Sequence, residues 1–374
     1  METKNLIIET LSPIFIWKGE DYSKFDYTVK LIDRDVLIEI YDIDKLINDL
    51  GKYFGEDKIF EILDEIGERI TDNEIFDIIT YLKSKNANIP LKKYIIRQYK
   101  TGIKDFLHEK RDIKQFVNQN SMPYIPGSSI KGAINTALIY YQLKNWDKEK
   151  LKKLINSGSL QPNRNNINVS TGENKYAISD VVIKEDMLDI FKAQRFYVYH
   201  INKSKIGDFN PKATNYIEGL KPYQTINLKI KCNEEMFDKI KKACNELSLK
   251  ICEWELSLLN EYVKIGKLTN VYNDLIDFYE NLLKEIESSC DVFFLNIGWG
   301  GGYLLKTIYL LAKEKGIDIE NIKKFFPYSK KKQFYRDKIN EYGEFPFTRT
   351  ISLCFNPQKR RLINYPFGWI KIEG

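Results

Sequence analysis

Met122-Pro123-Tyr124-Ile125-Pro126-Gly127-Ser128-Ser129-Ile130-Lys131-Gly132-Ala133-Ile134-Asn135-Thr136-Ala137-Leu138 is the stretch on which the reading of the fold turns. Proline restricts the backbone ahead of a glycine that can take positive φ, so the chain turns at Pro126-Gly127. Ser128 and Ser129 follow where a helix N-cap belongs. Ile130, Ala133, Ile134, Ala137, Leu138 and Tyr141 then share one face, which predicts a helix over 130–143 packed on a sheet. A glycine turn feeding a capped helix aims backbone N–H groups and a positive dipole end at one spot, and Lys131 in the first turn adds a cation. Gly127, Ser128, Ser129 and Lys131 are therefore candidate anion-binding residues. A plain strand-to-helix turn fits the same local chemistry.

A similar unit recurs in the second half. Asp291–Ile297 reads as a strand running into Gly298-Trp299-Gly300-Gly301-Gly302-Tyr303-Leu304-Leu305-Lys306-Thr307. The spacing argues against a nucleotide fingerprint. A P-loop needs glycine directly before Lys-Ser/Thr, where Leu305 stands, and a dinucleotide loop needs glycine where Tyr303 stands. What remains is a loop poor in side chains, with Lys306 on the helix behind it, suited to the close approach of a phosphate backbone. Gly298, Gly300, Gly301, Gly302 and Lys306 are the candidates there.

Outward from these two units, Leu6–Gly19 reads as a first strand broken at Ser12-Pro13 and ending in a glycine loop, with short β-like runs over 26–40. Residues 43–83 change to helical spacing (Ile59, Ile62, Leu63, Ile66, Ile70; Ile75, Ile78, Ile79, Leu82), a helical insertion with an acidic polar face. Residues 157–176 are a polar loop, strands are expected at 176–183 and 195–201, and 202–222 reads as a linker or exposed loop. Gln224–Cys232 alternates strictly, and helices are expected at 234–262 and 271–289.

The 374 residues, 43% hydrophobic, suffice for two packed domains. No apolar run is long enough to span a bilayer and no leader opens the chain, which points to the cytoplasm. Cys232, Cys244, Cys252, Cys290 and Cys354 are scattered, which reads as reduced thiols, and the only two histidines, His108 and His200, add no metal-ligand spacing. No cofactor is expected. Residues 1–80 hold 9 basic and 20 acidic side chains, 81–170 hold 17 and 5, and 321–374 hold 12 and 4. Two basic regions separated by acidic ones suit a polyanion, though a solvated lysine-rich surface would show the same counts. The last region interleaves Lys323, Lys324, Lys330, Lys331, Lys332 and Arg336 with aromatics and leads to Thr348-Arg349 and Gly368-Trp369. Cations that position phosphates beside rings that stack bases are how single-stranded RNA is usually held. A metal-independent ribonuclease would need a general base and acid. His108 and His200 lack obvious partners, and Asp180 is a lone carboxylate after Ser179.

Tyr124–Ala133, the Gly298–Tyr303 loop, Thr348-Arg349 and Gly368-Trp369 together resemble the RAMP superfamily of CRISPR proteins. The combination looks closest to the fifth Csm subunits, which cap the type III-A interference complex at the 3′ end of the crRNA. The resemblance implies an α+β fold of two RRM-like (ferredoxin-like) domains with helical insertions, at 1–218 (insertion around 43–120) and 219–374. It also implies a non-catalytic crRNA-binding scaffold that assists crRNA maturation in antiviral defence. Its partners would be crRNA, target RNA, other Csm subunits and crRNA-trimming nucleases, with no membrane. The RNA-binding residues would be Gly127, Ser128, Ser129, Lys131, Gly298, Gly300, Gly301, Gly302, Lys306 and Arg349. Phe15 and Trp17 depart from the family's usual His and Gly in the first loop. An endoribonuclease of the same superfamily and a backbone subunit of the related Cmr complex are the alternatives.

Overall fold

A computed structural model describes residues 1–71, 77–86, 88–108, 111–156, 176–197, 213–264, 270–299, 302, 306–317, 348–356, 359 and 361–374. The alternation in Thr225–Cys232 decides its place: Ile226, Leu228, Ile230 and Cys232 are buried and the residues between them are exposed. Each such side chain stabilises the fold by roughly 1.5–3 kcal/mol when removed from water. Asn233 ends that strand, and its side-chain oxygen accepts the Met236 N–H at 3.0 Å, which starts the helix Glu234–Lys264. The helix Asn270–Ser288 follows and buries Leu275, Tyr279, Leu282 and Ile286 along one stripe.

Among the described residues one sheet has five antiparallel strands, in the order Val292–Asn296, Trp369–Glu373, Glu2–Thr10, Thr225–Cys232 and Ala177–Ile178. A second has six, in the order Arg361–Pro366, Thr348–Asn356, Leu188–Tyr197, Ala213–Leu220, Ile113–Phe116 and Trp17–Tyr22. Both sheets draw strands from each side of the boundary expected at 218/219, and that boundary falls inside the strand Ala213–Leu220. The expected linker at 202–222 is thus in part a strand. Glycine and proline punctuation masked Tyr216, Ile217 and Leu220, which pack into the main core. That core is continuous from Leu6 to Ile372.

Over 43–85 the chain forms the helices Ile43–Asp49, Gly51–Phe54, Glu56–Thr71 and Ile78–Lys85, flanked by a small sheet of Tyr27–Ile32, Asp35–Tyr41 and Ile95–Thr101. Asp42 and Asp77 cap its helices Ile43–Asp49 and Ile78–Lys85 by accepting N–H groups at 2.9 and 3.0 Å. Leu46, Leu50, Ile62, Ile66 and Leu82 of this segment form a core separate from the main one. No described helix is long and apolar enough to cross a membrane.

The small sheet is tied to the six-stranded one by a buried polar knot. Glu218 accepts the Phe116 N–H at 2.9 Å and the Tyr99 hydroxyl, and lies 3.5 Å from Nε of Arg97. Burial pushes the Glu218 carboxyl up against those opposing contacts. Asp189, half-buried on the neighbouring strand, is raised to about 6, chiefly by burial. Because its folded value lies above its unfolded one, the stability it contributes is complete below about pH 4 and is lost as pH rises through 6. Asp189→Asn should therefore raise stability by about 1–2 kcal/mol at pH 8 and leave it nearly unchanged at pH 4, read from denaturant midpoints at the two pH values.

Candidate nucleic-acid interface

The strand Met122–Ile125 delivers the chain to a helix that begins at Gly127, three residues before its expected start, and runs to Leu143. The N-cap position falls on Pro126, so the two serines lie inside the first turn and do not cap it. The cap comes from a distance: Oδ1 of Asp180 accepts the Gly127 N–H at 2.7 Å. Part of the positive helix end is thereby already neutralised by a carboxylate. Gly127 is needed for close packing, and its φ is not positive. A Cβ there would sit 2.5 Å from the Ile178 carbonyl oxygen and 2.9 Å from that of Ser179. Nothing in the periodicity of the sequence announces Asp180 in this role, because its partner lies 53 positions away.

Ser128 is exposed and Ser129 half-buried. Spacings of three and four residues put Ser128, Lys131 and Gly132 on one helix face. The Lys131 ammonium stands 5.2 Å from the Tyr176 ring centre, and the Tyr176 hydroxyl donates to Asn135 Oδ1 in the next turn. A Cβ on Gly132 would meet nothing within 4 Å, so this face is open to close approach.

The second glycine unit is built into a corner where three quoted motifs meet. Gly298 has φ +78°, and a Cβ on it would fall 2.4 Å from the Phe15 carbonyl oxygen. That oxygen accepts the Trp299 N–H at 2.7 Å. Gly368, with φ +89°, donates its N–H to Pro13 O at 2.8 Å, and its carbonyl accepts the Ile297 N–H at 2.8 Å. Ser12 Oγ accepts the Trp369 N–H at 2.9 Å. Trp299 meets Phe15 and Phe367 edge-on, with ring centres 5.6 and 5.7 Å apart. Gly302 is exposed with φ +64° and open space around it. Gly300 and Gly301 lie outside the described residues, as do His200 and the cationic stretch Lys323–Arg336. Lys306 is exposed just ahead of the short helix Tyr309–Glu314, not on it.

Residues 7–305 match the RAMP superfamily. The chain belongs to that superfamily. It is 31% identical, over 99% of its length and 88% of the relative's, to "CRISPR system Cms protein Csm5" of Methanocaldococcus jannaschii. An uncharacterized protein of Aquifex aeolicus is 24% identical over 47% of this chain and 68% of its own. Among solved structures, a chain of a Csm-crRNA-target RNA ternary complex of a type III-A CRISPR-Cas system superposes with TM-score 0.69 at 20% identity, over 100% of both chains. Csm5 of T. onnurineus superposes with TM-score 0.59 at 17% identity, over 97% of this chain and 99% of that one.

Within this RAMP chain the other expected site residues are scattered. Arg349 turns inward, its Nε 2.9 and 3.0 Å from the two carboxylate oxygens of Glu255, itself only 8% exposed. The guanidinium thus fastens Thr348–Asn356 to the Glu234–Lys264 helix, a task the basic C-terminal composition concealed. His108, expected in a helix, is exposed at the end of the one-turn Lys104–Leu107, and its backbone N–H donates to Asp105 O at 3.1 Å. The five cysteines are free thiols, with Cys290 exposed and the rest buried.

Asp180→Ala should lower stability by about 1–2 kcal/mol through loss of the cap, measured by denaturant titration. Gly298→Ala should cost about 3 kcal/mol, since positive φ and overpacking add, and near-ultraviolet circular dichroism should report the loosened Trp299.

Proposed function

We propose that this RAMP chain is the Csm5-type subunit of a type III-A CRISPR (Csm) effector complex: a non-catalytic scaffold that binds crRNA and caps its 3′ end. The observation that carries the reading is 31% identity to a Csm5 protein across 99% of the chain. The full-length fold match to a chain from a Csm-crRNA-target RNA complex supports it. Its partners are crRNA, target RNA and the other Csm subunits, and trimming nucleases reach the crRNA end that it borders. It works in the cytoplasm, a setting in keeping with five free thiols.

The two RRM-like units of this reading would be built on the five- and six-stranded sheets, each of which draws strands from both halves of the chain. Phosphates of the crRNA approach the open face of Ser128, Lys131 and Gly132, where small residues keep the helix surface low and the lysine supplies charge. Asp180 leaves no room for an anion directly on the helix axis, so contact is lateral. Gly298, Gly300, Gly301, Gly302 and Lys306 form the second contact. Arg349 supports the interface from within through Glu255. The scaffold reading, as opposed to a ribonuclease, is supported by the use of Asp180 as a helix cap and by the exposed, peripheral position of His108.

The test is assembly with the other Csm subunits, followed by measurement of crRNA retained across a salt series. Wild type should retain crRNA with a steep salt dependence, because phosphate contacts release counterions. Lys131→Ala should reduce retention roughly threefold to tenfold and flatten the salt slope by about one unit, with unchanged thermal stability. Full retention with a normal 3′-end length distribution would remove Lys131 from the contact. RNA cleavage abolished by His108→Ala would replace the scaffold with an enzyme.

A further inference from the structure

Of the five tryptophans, four are buried or half-buried, and Trp17 alone is exposed, at 49%. It opens the edge strand Trp17–Tyr22, whose pairing with Ile113–Phe116 is broken between Trp17 and Asp21. Lys18, Gly19 and Glu20 bulge out there, and Gly19 has φ +98° with nothing within 4 Å of where a Cβ would stand. Edge bulges of this kind re-aim side chains and recur beside functional sites.

The ring is held, not loose. Its Nε1–H lies 3.0 Å from both the Glu20 carbonyl oxygen and Asp21 Oδ1. The Lys114 ammonium lies 4.6 Å from its ring centre and is itself paired to Asp21 at 3.2 Å. An exposed indole loses apolar stabilisation to water, and three polar contacts here keep it in that position. With its N–H already engaged inside the chain, the ring has no hydrogen bond left to offer a ligand; what it offers is the ring surface that Lys114 leaves exposed, pre-oriented. A Cβ on Gly298 would come within 3.2 Å of the Ile16 side chain, so the strand that carries the indole starts beside the glycine corner.

We propose that Trp17 is a stacking platform for one unpaired nucleobase of the bound RNA. The inference rests on the crRNA-binding reading above and adds a site to it. Recognition is by ring face, so any of the four bases stacks, and the orientation is set by the bulge. Base–aromatic stacking of this kind is worth roughly tenfold to a hundredfold in affinity. The neighbouring charges are mutually paired (Lys18 with Glu20 at 2.6 Å, Lys114 with Asp21), which leaves stacking as the main attraction at this spot. A partner peptide, by contrast, would look for apolar surface around the ring; residues 18–21 are instead charged or glycine.

The experiment uses the full chain with a single-stranded repeat-derived RNA, alone and in the assembled complex. Three variants are compared with wild type: Trp17→Phe, Trp17→Ala and Lys131→Ala. RNA should quench the emission that distinguishes wild type from Trp17→Phe. Trp17→Ala should weaken binding tenfold or more with an unchanged salt slope, and Trp17→Phe should recover most of it. Lys131→Ala should show the opposite pattern, a changed slope. Replacing single bases by abasic sites should identify one position whose loss costs wild type affinity but costs Trp17→Ala nothing. Equal affinity in Trp17→Ala, with normal melting and persistent RNA binding, overturns the platform while leaving RNA binding intact. No RNA binding by wild type in either setting overturns both readings. Unchanged RNA affinity with loss of co-assembly assigns Trp17 to a protein contact instead.

Discussion

The Phe15 carbonyl oxygen accepts the Trp299 N–H at 2.7 Å while Gly298 passes so close that a β-carbon could not be placed. One residue pair further on, Pro13 and Ile297 bracket Gly368 through backbone hydrogen bonds of 2.8 Å each. These contacts join the segment that follows the first strand, the segment that follows Val292–Asn296 and the turn before the last strand. Backbone groups buried at such a junction must find partners, and a side chain at either glycine would prise them apart. Two strands of the five-stranded sheet, Val292–Asn296 and Trp369–Glu373, meet the chain that leaves Glu2–Thr10 at this corner.

That dependence explains which parts of the molecule can be read from the sequence. Thr225–Cys232 and the helices after it obey local rules: alternation, an asparagine cap and an apolar stripe, each complete within a short window. The glycines of the corner are visible as anomalies, and the loops they mark are real. Their purpose is not visible, because Gly298 answers to a carbonyl 283 positions earlier in the chain. Asp180 and Arg349 are opaque for the same reason. A carboxylate after a serine looks like a catalytic candidate, and an arginine in a basic tail looks like a phosphate contact, until Gly127 and Glu255 appear beside them.

The proposed interface is correspondingly a composite. The helix beginning at Gly127 contributes an open flank in place of an axial anion pocket, since its axis is closed by a carboxylate. The glycine corner contributes backbone with little side-chain cover, and the bulge before Asp21 contributes an aromatic face. Divided in this way, positive charge, access and stacking come from elements far apart in sequence, which suits a ligand that is itself extended and recognised along its backbone.

The central position of Glu2–Thr10, between Thr225–Cys232 and Trp369–Glu373, has a consequence for biosynthesis. At ribosomal speeds of about 5–20 residues per second, this first strand waits on the order of ten seconds for one neighbour and tens of seconds for the other. Through that interval Leu6 and Ile8, fully buried in the finished sheet, travel with a nascent chain that cannot yet cover them. The helical segment around 43–85, with its separate core and capped helices, needs no such wait. Folding thus proceeds from a part that closes early to a sheet that closes last.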